Sequence, residues 1–196
     1  FGQMLARAGS KVTMIEKGNQ VLGPFEEYTA SFIEQASEKL GIKIIKNAQA
    51  SSVEKIDNRF IVNYAMKNGM HQITTDCVFN TAGRVPSIKA LDLEKANVVT
   101  DKGGVVVNEC LQSTTQSHIY ACGDVSSKNL PLTPLSGIES SIVAKNLVGQ
   151  KTELDIPAIP STVFTIPQCA SIGLTEKQAF KKDLKYHVIQ KDSSDW

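Results

Sequence analysis

Apolar positions along the chain change their spacing in a way that marks out successive elements. Phe1, Met4, Leu5 and Ala8 recur at helical spacing, and Gly9 follows as a stop. Residues 11–16 form a short apolar strand that ends on an acid, Glu16. Phe25, Tyr28, Phe32, Ala36 and Leu40, separated by three and then by four, predict one face of an amphipathic helix closed by Gly41. Residues 42–45 are the next strand, parallel to the first if the usual crossover joins them. From Ala50 to Cys77 the spacing drops to alternation, and Asn68-Gly69 between two alternating runs predicts a hairpin. Residues 77–83 read as another strand, capped by Ala82-Gly83-Arg84-Val85-Pro86.

A turn at Asp101–Gly104 leads into an apolar run over 105–108, and a polar connection over 111–117 leads into 118–122, a short apolar strand stopped by Gly123. Thr133-Pro134 predicts a helix start, with a hydroxyl cap and proline at the first position. Ile138, Ser141, Ile142, Lys145 and Leu147 carry that helix to Gly149. The prolines at 157 and 160 mark a linker. Beyond it, 161–165, 170–174, 175–179 and 186–189 read as strand, strand, helix and strand.

The candidate chemistry gathers at Gly123-Asp124. Open α/β sheets place ligands at the carboxyl ends of their strands, where a carboxylate accepts from ligand hydroxyls and a glycine lets the backbone come close. Glu16 ends a helix–glycine–strand run that matches the second half of a dinucleotide-binding βαβ unit, in which the acid accepts from ribose hydroxyls. A solvated carboxylate at a strand end is the plain alternative there. His71 and His187 lack partners at ligand spacing and read as ordinary surface or core histidines, and no metal ligands are assigned.

Composition narrows the function classes. Of the 196 residues 41% are hydrophobic and 21% charged, as in an ordinary folded protein. A net charge of +1 offers no basic stripe for nucleic acid. No apolar run reaches membrane-spanning length and no leader is visible, so a cytoplasmic protein is expected. The four cysteines, Cys77, Cys110, Cys122 and Cys169, are widely spaced and predict buried reduced thiols, not a redox pair or a metal site.

Ile119-Tyr-Ala-Cys-Gly-Asp-Val125, followed by Leu132-Thr-Pro134, resembles the second flavin-contacting motif of the pyridine nucleotide-disulfide oxidoreductases in its glutathione reductase form. The Ala82–Pro86 segment is similar to the one by which that family's chain leaves the nicotinamide domain. The resemblance implies an α/β fold with partial Rossmann-like domains. Residues 1–81 would be an NAD(P)-binding domain lacking its first strand and glycine-rich turn. Residues 82–155 would be the returning segment of an FAD-binding domain, and 156–196 the start of an α+β dimerisation domain. It implies that Asp124 accepts from the ribityl chain of FAD, that Thr133 faces the flavin pyrimidine ring, and that Gly83 and Arg84 serve the nicotinamide approach or an anionic cofactor group. Glu16, Gly83, Arg84, Gly123, Asp124 and Thr133 are therefore the expected cofactor-binding residues.

The same resemblance implies hydride transfer from NAD(P)H through FAD to a small disulfide, within a homodimer. NADH is favoured over NADPH, because Glu16 stands where NADPH-using glutathione reductases carry arginine, and Gly23 occupies the second such position. The family's cysteine pair and histidine–glutamate pair find no counterpart here. The chain is thus expected to be an internal piece with no catalytic residue of its own. A dihydrolipoamide dehydrogenase, or a catalytically silent nucleotide-binding or dimerisation module, is the alternative.

Overall fold

Helix α1 (Gly2–Arg7) leads into strand β1 (Thr13–Ile15), helix α2 (Glu27–Lys39) and strand β2 (Lys43–Ile45) in the computed structural model, which describes residues 1–128, 131–156 and 158–191. β1 and β2 pair in parallel with Met14 opposite Ile44, as the crossover predicts. The chain divides into two compact units, one of residues Phe1–Phe79 with those from Ala158 on, the other beginning at Asn80.

In the first unit α2 turns a different face inward from the one its aromatic spacing predicts. Ala30, Ile33 and Ser37 are buried, while Tyr28 and Phe32 remain 42% and 46% exposed with their rings edge to face. The buried face is rotated by roughly a third of a turn from the expected one. A polar contact explains the shift. The buried Gln3 donates from Nε2 to Ser37 Oγ at 3.0 Å and accepts the Ile166 N–H at 2.8 Å. Ser37 is thereby held inward, and Ile33 beside it packs with Phe25 and Cys169.

Strands β3 (Gln49–Ile56), β4 (Arg59–Met66) and β5 (Gly69–Thr75) form an antiparallel meander, and the predicted hairpin closes with Met66 opposite Gly69. Tyr64 of β4 packs with Ile45 and Ala48, while edge strand β3 is exposed throughout. The later segment contributes the antiparallel pair β8 (Ser161–Val163) and β9 (Cys169–Ser171), and then helix α4 (Glu176–Lys181). Glu26 joins it to α2: one carboxylate oxygen accepts the Glu27 N–H and the other accepts the Glu176 N–H at 2.7 Å.

The second unit holds the short pair β6 (Thr100–Asp101) and β7 (Gly104–Val105), then helix α3 (Thr133–Leu147). Leu111 is fully buried with Ile142 and Leu154. Asn146 pins the end of α3, donating to the carbonyls of Cys110 and Thr152, both at 2.8 Å.

Three expected strands do not form. Residues 77–83 and 186–189 are irregular, and 118–122 makes a single bridge, Gln112 with Tyr120. Apolar composition alone cannot make a strand; its backbone groups need a neighbouring strand to bond. The cysteine expectation also needs correction. All four are free, but Cys169 alone is buried, Cys110 and Cys122 are half-buried, and Cys77 is exposed.

Burial pushes the Cys169 thiol above its ordinary pKa. The unfolded chain would ionise this thiol at its ordinary value while the folded chain keeps the proton, so its contribution lowers stability as pH rises through that range. At neutral pH a thiol reagent is expected to modify Cys77 first, Cys77→Ser removing that fast phase, and Cys169 last; modification of Cys169 ahead of Cys77 would contradict the burial. Leu111→Ala is expected to cost about 2–5 kcal/mol, read as a lower denaturation midpoint.

Candidate functional site

The second unit carries its candidate site on the 3-10 turn Gly123–Val125, which is pressed between β7 and α3. Gly104 lies at φ +130°, and a Cβ there would stand 2.0 Å from the Val125 carbonyl oxygen. No other residue permits that approach. The Ser127 N–H donates to the Val105 carbonyl at 3.0 Å, and the Ser126 N–H closes the turn on the Gly123 carbonyl at 3.0 Å.

On the helix side Gly123 adopts φ +69°, and a Cβ there would meet Ser136 Oγ at 3.1 Å. The Gly123 N–H donates to Glu139 Oε2 at 2.5 Å. Glu139 is 1% exposed, a carboxylate enclosed within α3 packing. Burial first, and the Glu139 charge second, raise the Cys122 thiol pKa above its ordinary value. That thiol is therefore neutral, not a ready nucleophile, at neutral pH.

Asp124 projects from this fixed turn with its side chain 48% exposed, and Arg84 Nη1 lies 3.0 Å from its Oδ2. Arg84 is itself 74% exposed, so the pair adds little stability. Its consequence is positional: an acceptor and a cation share one patch of surface. Gly83, at φ +119° and with open space where a Cβ would stand, precedes the arginine.

Thr133 is the first residue of α3, and the hydroxyl cap expected of it does not form. The extended Leu132 is the N-cap, with no side-chain cap bond, and Pro134 falls one position later than predicted. Thr133 is already helical and sits past the position from which a hydroxyl reaches the second or third amide. It remains exposed at the helix's partially positive end.

Glu16 belongs to the first unit. Its N–H donates to the Ile45 carbonyl at 2.8 Å and its Oε1 accepts the Gly18 N–H at 2.6 Å, which fixes the carboxylate just past β1. Arg84, Gly123 and Asp124 thus come together, with Thr133 opening the helix that supports their turn.

Glu139 was not among the expected residues. The signal for it is the inward stripe of α3, Leu135, Glu139, Ile142 and Asn146, spaced by four, three and four. Ile138 and Leu147, which carry the helix as expected, lie off that stripe and are 51% and 65% exposed. An acid on the inward stripe of a helix marks a polar partner across the packing.

An acceptor carboxylate, a guanidinium and a helix amino end within one unit suit a ligand bearing hydroxyls and anionic groups. Comparison with known proteins gives this chemistry its setting. The chain is 33% identical over 184 residues to the dihydrolipoyl dehydrogenase of Staphylococcus aureus, covering 94% of this chain and 39% of that protein. It is 33% identical over 198 residues to a mercuric reductase of Staphylococcus aureus, covering 98% and 36%. Among solved structures, the Cu(II) complex of the HOCl-induced flavoprotein disulfide reductase RclA from Escherichia coli superposes with a TM-score of 0.77 at 29% identity, covering 92% of this chain and 41% of that one. The chain therefore spans about two-fifths of the length of these relatives. Residues 1–145 match the family described as pyridine nucleotide-disulphide oxidoreductase, and with its partial Rossmann-like α/β fold the chain belongs to that family.

Proposed function

We propose that the protein passes a hydride from a pyridine nucleotide through FAD to a disulfide, and that the Asp124 turn is where this chain meets the flavin. Members of the family use FAD and NAD(P)H. The observation that carries the reading is the half-exposed Asp124 carboxylate on a turn fixed from both sides. Its donor set fits a flavin: Asp124 would accept from ribityl hydroxyls, Arg84 would meet a phosphate, and the amino end of α3 at Thr133 would face the carbonyl edge of the pyrimidine ring. FAD, when bound, accepts the hydride and passes electrons onward. Gly83 leaves the backbone open to the nicotinamide, and Gly123 lets the turn approach the flavin.

Glu16 supports NADH over NADPH. Its carboxylate accepts from a free ribose 2′-hydroxyl and repels a 2′-phosphate, and Gly18 holds it in place. For the acceptor, Leu132-Thr-Pro134 supports a small disulfide of the glutathione reductase kind. A dihydrolipoamide substrate is the second reading, supported by the dihydrolipoyl dehydrogenase relative and by Glu16. We assign residues 1–81 to nucleotide binding, 82–155 to flavin binding and 156–196 to dimerisation. The exposure of Phe164 and Phe180 in the last stretch, at 84% and 77%, supports a homodimer. A cytoplasmic location goes with this reading, and no helix among the described residues is long and apolar enough to cross a membrane.

Anaerobic titration of the flavin-loaded protein with NADH and, separately, NADPH tests the assignment. Rapid bleaching by NADH is expected, and bleaching by NADPH alone would reject the role given to Glu16. Glu16→Arg should move the ratio of the two coenzymes' efficiencies toward NADPH. Asp124→Ala should weaken flavin binding by roughly 10- to 100-fold, the worth of a hydrogen bond to a charged acceptor. Undiminished flavin binding by Asp124→Ala would remove that residue from the site.

A further inference from the structure

We propose that Glu139 is the positioning residue for flavin binding: its buried carboxylate locks the Asp124 turn to the helix whose amino end faces the same ligand. The proposal rests on the flavin reading of Asp124 and adds the residue that sets the site's internal spacing.

Gly123 immediately precedes Asp124, and its N–H is held by Glu139 Oε2 at 2.5 Å. That bond fixes the peptide plane entering Gly123, whose φ of +69° a side chain would strain. The direction in which Asp124 leaves the turn follows from it. Glu139 lies six residues after Thr133 in α3, so its bond to Gly123 ties the Asp124 acceptor to the helix whose amino end begins at Thr133.

β7 constrains the turn from its other side through the Gly104 approach and the Ser127 amide, but it meets the turn near Val125. Without Glu139 the Gly123 N–H would lose the bond that ties it to α3, while the Ser126 N–H would still hold the Gly123 carbonyl from within the turn. Glycine is the residue least able to hold a conformation unaided. A buried carboxylate also needs partners, so an acid enclosed to 1% exposure signals a specific contact, and an apolar side chain would serve packing as well. Glu139 does not itself reach the exposed surface where Asp124 and Arg84 meet. Its role therefore runs through the turn.

The test compares Glu139→Gln, Glu139→Leu and Asp124→Ala in the flavin-loaded protein. The readouts are the flavin dissociation constant, the flavin absorption band shape, hydrogen exchange at the Gly123 amide, and the melting temperature of the flavin-free protein. Glutamine keeps an oxygen that accepts the Gly123 N–H, so flavin binding is expected within about threefold of the unaltered protein, with the Gly123 amide still protected. Leucine keeps similar volume without an acceptor. Its Gly123 amide should exchange faster, its flavin bind about tenfold or more weakly, and the absorption band shift.

Flavin binding by Glu139→Leu as tight as in the unaltered protein would overturn the proposal. So would equal loss by Gln and Leu in step with their melting temperatures, the pattern of a merely structural residue. If Leu does not fold, Gln decides alone: a protected Gly123 amide with flavin bound tenfold more weakly would also overturn it. Weakening by Asp124→Ala but not by Glu139→Leu removes only the role of Glu139. Unchanged binding in Asp124→Ala removes the flavin reading beneath it.

Discussion

The second unit depends on how closely two backbones meet at Gly104 and Val125. A Cβ at Gly104 would stand 2.0 Å from the Val125 carbonyl oxygen, well inside contact distance, so β7 and the turn are joined without any side chain between them. The Val105–Ser126 bridge and the Ser127 amide bond exist because that approach is allowed. The turn is then a backbone object. Asp124 can remain half exposed because its side chain is not needed to hold the turn. Rigidity in the main chain and freedom in the side chain are what a binding residue requires.

The first unit solves a different problem, attaching a segment distant in sequence to a small parallel crossover. Apolar packing contributes through Phe25, Ile33 and Cys169. Hydrophobic contact is not directional, however, and does not by itself choose among the faces of α2. Gln3 and Glu26 make that choice, each binding α2 and the later segment at once. In both cases one side-chain oxygen receives a backbone N–H that would otherwise be left without a partner.

Much of this architecture was legible where its cause is local. Glycine stops, the crossover and the Asn68-Gly69 hairpin are written in a few adjacent residues, and the structure has them. The expectations that failed needed knowledge of a partner. Residues 77–83 and 186–189 are apolar enough for strands but find no neighbour. The inward face of α2 escaped an apolar count because it carries a polar residue, Ser37, and in α3 the buried Glu139 was not singled out. The site divides in the same way. Gly123 and Asp124 are adjacent, and their motif is readable as a string. Arg84 stands 40 residues away, yet its segment is also a readable string. Glu139 lies 16 residues past Gly123 in a helix that otherwise reads as ordinary, and only folding brings them together.

That difference follows from what each residue does. Asp124 and Arg84 present charge outward, so their surroundings must be open and their local sequence must supply turns and glycines that leave a trace. Glu139 acts inward, where its carboxylate accepts the Gly123 amide hydrogen from within the packing of the helix. A helix interior accepts glutamate readily by propensity, so nothing local distinguishes this position from a solvated one. The distinguishing feature is periodicity, since Leu135, Glu139, Ile142 and Asn146 share one face. Burial of an acid is unfavourable unless it is satisfied. A stripe that alternates apolar and polar residues at helical spacing therefore specifies fixed contacts. In α3 the two polar members make such contacts from different turns, Glu139 from mid-helix to the Asp124 turn and Asn146 from the last turn to the chain at Cys110 and Thr152. The helix thus acts as a ruler between the site and the core.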